Sequence, residues 1–202
     1  MVSRPHPRHN PNPPTLCLAL AVLLGGSGKL EAQEDDQTLR VFIFAGQSNM
    51  VGSDSKVKDI ERFPPFAGLD RPQTEVMFSY CIGRENKHKS DGWVSLAPVD
   101  NVVGPELSFA CKIARNISAP VAVIKVAAGG THLGGDWNPD EPIGFEMYPL
   151  ALDWIRAALA ELDERKIPYR IEGFMWHRGE NDMFNEEYMA AYGANLKNLV
   201  AR

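Results

Sequence analysis

The chain has 202 residues, of which 44% are hydrophobic and 23% charged, with a formal net charge of −5. This is enough chain for one domain with a sizeable core, and the balance is that of an ordinary globular protein. The acidic balance and the lack of any long basic run leave nucleic-acid binding without electrostatic support.

Residues 1–32 read as a secretory signal peptide. Arg4 and Arg8 give a positive start, Thr15 to Leu24 form a short apolar core, and Ala32 closes a cleavage site. That core is too short to span a bilayer comfortably as a permanent helix. The alternative is a retained N-terminal anchor. The signal reading implies a secreted or periplasmic protein with no stable membrane anchor after cleavage. Residues 33–39 form a polar leader, and the domain runs from 40 to 202.

Leu39 to Ala45 is a near-continuous apolar run of strand length, the pattern of a strand buried on both faces of a parallel sheet. Residues 52–72 lack periodicity and read as a long loop. Thr74 to Tyr80 alternates weakly as a second strand, and 83–92 form a polar surface turn. A proline in the first turn and the spacing of Leu107, Ala110, Cys111 and Ala114 predict a helix over 104–115. Val121 to Ala127 is the clearest buried strand, and 128–142 is a Gly- and Asp-rich loop. Tyr148 to Glu164 is an amphipathic helix, with Leu150, Leu152, Ile155, Leu159 and Leu162 on one broad face. Tyr169 to Trp176 is a strand, and 186–202 is helical. Strands alternating with helices indicate an α/β domain with a mainly parallel sheet.

Beyond the signal, the cysteines are Cys81 and Cys111. An exported protein can join them in a disulfide, or they can pack as two buried thiols, and the sequence favours neither. Asn116-Ile-Ser118 is a glycosylation sequon, usable in a eukaryotic secretory route. No cluster has metal-ligand spacing, so no metal and no cofactor are expected.

In parallel sheets ligands bind at the carboxyl ends of the strands, which directs attention to the residues after Ala45, Val126 and Trp176. The first segment, Gly46-Gln-Ser-Asn-Met50, sets a serine in a tight turn at a helix start, where backbone N–H groups can stabilise an oxyanion. The serine needs a base in reach, and its alternative role is to cap the helix. In the second, Ala127-Ala-Gly-Gly-Thr-His-Leu133, adjacent glycines let the backbone approach a ligand. The third, Trp176-His-Arg-Gly-Glu-Asn-Asp182, concentrates charge at a strand end; its alternative is a loop paired internally.

Val41 to Gly52, Gly104-Pro-Glu106, Ile124 to Thr131 and Trp176 to Asp182, in this order and spacing, resemble the sialate O-acetylesterase / carbohydrate esterase family 6 group of SGNH hydrolases. The resemblance covers roughly residues 40–200. It implies a flavodoxin-like three-layer α/β/α fold and a serine esterase that removes O-acetyl groups from carbohydrates such as acetylated xylan or sialic acid. By resemblance, Ser48 is the nucleophile, and the N–H groups of Ser48 and Gly130 are oxyanion donors. Arg178 stands where the family has a glutamine donor, and Glu180 matches a glutamate that organises the site. Gln47, Asn49, Thr131, His132, Trp137 and Asp182 are the substrate-binding candidates. The family's Asp-x-x-His block is absent, so the sequence reads as a truncated member with an incomplete sheet and no general base. The alternative function is a catalytically impaired carbohydrate-binding remnant. A further possibility is that His132 or His177 serves as a substitute base.

Overall fold

The computed structural model describes residues 37–202; the signal peptide read over 1–32, with Cys17, and the start of the leader lie outside the described residues. The strands are β1 (Leu39–Gly46), β2 (Gln73–Ile82), β3 (His88–Lys89), β4 (Val94–Leu96), β5 (Val121–Ala127) and β6 (Tyr169–His177). The helices are α1 (Ser48–Val51), α2 (Pro105–Ala114), α3 (Met147–Glu164) and α4 (Glu186–Ala201). Leu39, where the leader and the apolar run meet, opens β1 and is buried, as the strand reading of Leu39 to Ala45 expects.

The four long strands stand in the order β2-β5-β1-β6, every neighbouring pair parallel. Two short strands, β3 and β4, pair antiparallel with β2. They lie where the sequence reads as a surface turn and unassigned chain; two or three residues are too few to show a period of two. The segment read as a long loop carries 3-10 turns at Val57–Arg62 and Pro64–Phe66.

Alternation along the strands divides the core between the faces of the sheet. One face gathers Phe44, Val76, Phe78, Val121 and Val123 under Leu107, Ala110 and Cys111 of α2. The other gathers Val41, Ile43, Ala122 and Ile124 under Ala158 and Leu162 of α3, and continues to Ala45, Cys81 and Val126 with Leu199 of α4. The result is three layers, α/β/α. It also settles the cysteines: Cys81 and Cys111 lie in the cores on opposite sides of the sheet and are free thiols. Burial pushes both thiols above their ordinary pKa.

Helix α3 buries Met147, Ala151, Ala158 and Leu162, not a row of leucines. Leu150, Ile155 and Leu159 flank that line, partly buried. Two alanines at the contact allow the helix axis to approach the sheet closely, which a leucine row would prevent. Among the described residues, no helix is long and apolar enough to cross a membrane.

Candidate active site

The parallel strands all end at one side of the sheet, so the turns after β1, β5, β6 and β2 meet there. At the end of β1, Gln47 occupies the N-cap position of α1 and Ser48 is its first residue. No side chain caps this helix, so Ser48 is not a cap. Its Oγ donates to Gln47 Oε1 at 2.9 Å, its one hydrogen bond among the described residues. Gly46 has to be glycine, because a Cβ there would overlap the His177 carbonyl oxygen and crowd Met50. That close approach ties the Ser48 turn to the end of β6, where Gln47 N–H also donates to the His177 carbonyl at 3.2 Å.

Glu180 clamps both neighbours of the serine. Gln47 Nε2 donates to its Oε2 at 2.5 Å and Asn49 Nδ2 to its Oε1. Burial pushes the Glu180 carboxyl up, but the backbone, Gln47 and Asn49 hydrogen bonds and the nearby His177 together outweigh it. The result lies below the usual carboxylate range.

At the end of β5, Gly129 lies against the serine: a Cβ on it would stand 3.6 Å from the Ser48 Cβ. Gly130 takes φ +73°, a left-handed conformation suited to glycine. Thr131 is buried, its Oγ1 donating to the Ala128 carbonyl at 2.9 Å and accepting from Trp137 Nε1 at 3.1 Å. Trp137 is buried as well. The His132 ring is partly exposed, with Nδ1 3.3 Å from Asp136 Oδ2. Asp136 also accepts from the backbone N–H groups of His132 at 2.7 Å and Phe145 at 2.8 Å, so its carboxylate is fully engaged.

At the end of β6, Asp182 is buried and accepts from the N–H groups of Leu133 at 3.1 Å and Gly134 at 3.0 Å. Arg178 pairs with it at 3.4 Å and donates through Nη2 to the Thr131 carbonyl. The guanidinium lies 5.5 Å from the Trp176 ring and 6.0 Å from Trp137, with Nε and Nη1 buried and unpartnered among the described residues. Burial lowers its pKa to about 10, opposed chiefly by Asp182, and it stays charged at neutral pH. His177 is exposed and shares with Asn49 a cleft of about 510 Å³ that also reaches Phe63 and Phe66. Neither His132 nor His177 hydrogen-bonds to Ser48.

A buried ion pair braces the turn from below. Lys125 Nζ donates to Glu106 Oε2 at 2.6 Å and to the Val51 carbonyl, the last residue of α1, at 3.3 Å. Burial pushes the Lys125 pKa down, and Glu106 opposes that shift.

Sequence reasoning missed Arg84, which follows β2 and donates through Nε to the Gly129 carbonyl at 2.8 Å. The strand-end rule, applied to β2 as to the others, finds it. Asp136 was within a noted segment but given no role. Among the described residues, no group of three or more His, Cys, Asp or Glu could hold a metal ion.

A family model described as carbohydrate esterase, sialic acid-specific acetylesterase, matches residues 38–202. A probable carbohydrate esterase of Arabidopsis thaliana is 25% identical over 188 residues, covering 87% of this chain and 66% of the relative. The chain thus spans just under two thirds of that curated relative's length. A solved Arabidopsis thaliana structure superposes with a TM-score of 0.57 at 20% identity, covering 80% of this chain and 66% of that one. NanS superposes with a TM-score of 0.58 at 18% identity, covering 82% of this chain and 61% of that one. Both share the fold: a central sheet of mostly parallel strands flanked by helices.

Proposed function

The chain belongs to the carbohydrate esterase family of sialic acid-specific acetylesterases, and on that premise we propose that it is a serine esterase that removes O-acetyl groups from carbohydrates. The observation that carries this reading is the Ser48 turn: a serine at a strand end, packed against Gly129, with Glu180 holding both of its neighbours. In this reading Ser48 Oγ attacks the acetyl carbonyl. The N–H groups of Ser48 and Gly130 receive the oxyanion, and its collapse breaks the ester bond. The sugar leaves as its free hydroxyl with the proton lost by Ser48, and water then hydrolyses the acetyl-enzyme to acetate and restores the serine. Glu180 is a positioning residue. Gln47 fixes the serine rotamer, and Asn49 and His132 border the substrate. Thr131, Trp137, Arg178 and Asp182 act from beneath by shaping the Gly129–Gly130 turn. O-acetylated sialic acid and acetylated xylan are the substrates to compare. Export after removal of residues 1–32 completes the proposal.

The test is release of acetate from p-nitrophenyl acetate and from acetylated sugars by the wild type and by Ser48→Ala. Loss of turnover in the variant is expected; retained turnover would refute Ser48 as nucleophile.

A second reading rests on one specific observation. The Ser48 hydroxyl donates to an amide oxygen, which cannot take its proton, and no imidazole bonds to it. A Ser–His unit without its base keeps roughly 10³–10⁴-fold acceleration over water from binding and the oxyanion hole. A carbohydrate-binding protein with impaired catalysis would bind sugars saturably without turnover. Ester hydrolysis by the 202-residue chain at rates typical of enzymes would rule that out.

A further inference from the structure

The segment 52–72 joins α1 to β2 and is far longer than that connection requires, a length that in compact domains goes with function. It is not loose. Ile60 and Leu69 are buried in the core that also holds Leu107 and Ala110 of α2. Phe63 N–H donates to the Ile60 carbonyl at 3.0 Å and Phe66 N–H to the Phe63 carbonyl at 2.8 Å. Two prolines, Pro64 and Pro65, stiffen the backbone between the two phenylalanines. With its aliphatic side chains sealed, this segment still leaves its two large rings in water, Phe63 50% and Phe66 41% exposed. The ring centres lie 6.2 Å apart and the planes are tilted by 56°. Both rings line the cleft of about 510 Å³ that opens onto Asn49 and His177.

The strand order gives this cleft a direction. β5 and β6 flank β1, so the Gly129–Gly130 turn stands on one side of Ser48 and His177 on the other. A substrate whose carbonyl oxygen faces the Gly130 N–H is free to extend the other way, into the cleft. The cleft volume lies within the roughly 300–1,000 Å³ of small-molecule sites and exceeds what an acetyl group fills. Charge then selects the occupant. The lining carries Asp54 and Asp59 against Lys56 and Arg62, two of each sign, and Arg62 already pairs with Asp59 at 3.2 Å. A charged ligand meets no net field of the opposite sign there, whereas hydroxyl groups can donate to the acids and accept from the bases. The negative faces of aromatic rings attract the C–H groups on the flat face of a sugar whose hydroxyls are equatorial. We propose that the cleft lined by Phe63 and Phe66 is a subsite for a second, neutral sugar ring, so that the carbohydrate accepted at Ser48 is a linked chain of rings and not a single one. This deepens the esterase reading and rests on it for what the first ring presents to Ser48.

The experiment titrates the full chain, by NMR, with glucose and with cellobiose, two rings of equatorial hydroxyls joined by a β-1,4 link. The wild type is expected to bind cellobiose roughly 3- to 10-fold more tightly than glucose, the range for a ring that gains an aromatic contact. Phe63→Ala combined with Phe66→Ala should abolish that gain, and Phe63→Tyr combined with Phe66→Tyr should keep it, because the ring faces remain. Phe174→Ala removes a similarly exposed ring on β6, outside the cleft, and should leave the gain unchanged. All three side chains stand largely in water, so these variants are expected to unfold in urea close to the wild type. Ser48→Ala should keep the gain in full while losing any turnover of p-nitrophenyl acetate. A gain that depends on Phe63 and Phe66 in a wild type without turnover would support the subsite and sink the esterase reading alone. Equal binding of the two sugars by the wild type, no binding of either, or a gain that survives the loss of both rings would each overturn the proposal.

Discussion

Strands β5 and β6 flank β1 on opposite sides and both run parallel to it, but β5 is buried at all seven residues while β6 is buried at none. Ile171 and Phe174 of β6 are 48% and 44% exposed. Each strand nevertheless delivers residues to the same site, so each must hold its end still by different means. Strand β5 itself rests on close packing and on the buried Lys125–Glu106 pair. The turn after β6 rests on polar bonds between loops: Asp182 to Leu133 and Gly134, Arg178 to Thr131, Glu180 to Gln47 and Asn49. Where apolar burial is unavailable, charge-assisted hydrogen bonds do the positioning.

Substitutions can break or sharpen that contrast. The largest effect is expected from Lys125→Met, which leaves Glu106 buried without its cation and costs about 3–5 kcal/mol in urea unfolding. Adding Glu106→Leu should return much of that loss, since an apolar pair replaces the ion pair. Slightly smaller, at about 3 kcal/mol, is Asp182→Ala, which strands two N–H groups and leaves Arg178 unpaired. If it costs under about 1 kcal/mol, polar bonds are not what holds the β6 end. Glu180→Gln should cost on the order of 1 kcal/mol at neutral pH, because its partners are partly exposed. Its folded pKa lies below the unfolded one, so the gap between wild type and variant is full above about pH 4.3. That gap closes as pH falls through the lower folded value, which unfolding across an acid series would reveal. The smallest effect belongs to Ile171→Ser, within about 0.5 kcal/mol, because half of that side chain is already in water.

The sheet was legible where one strand carried its own signal. Val121 to Ala127 reads correctly to the residue because a strand sealed on both faces must be apolar throughout. Strand β4 was not legible, because its three residues are specified by the partner β2 rather than by their own pattern. The same divide runs through the site. Strand-end position and turn residues pointed to the segments that hold Ser48, Gly130 and Glu180, and the family resemblance singled those residues out. Chain order cannot say that Arg178 turns down between two tryptophans toward Asp182, since its direction is set by groups more than forty residues away as well as by a near one. Nor could it choose between a disulfide and two thiols, which depends on the sheet face each cysteine takes.

The strand order has a consequence during synthesis. β1, the first of the described strands to be made, ends at residue 46, yet its partners begin only at 121 and 169. At about 5–20 residues per second, roughly 4–15 s pass before the nearer partner is translated. Throughout that interval Val41-Phe-Ile-Phe44 has no native neighbour on either side. Among the described strands, the one that leads into the proposed nucleophile therefore waits longest for its partner.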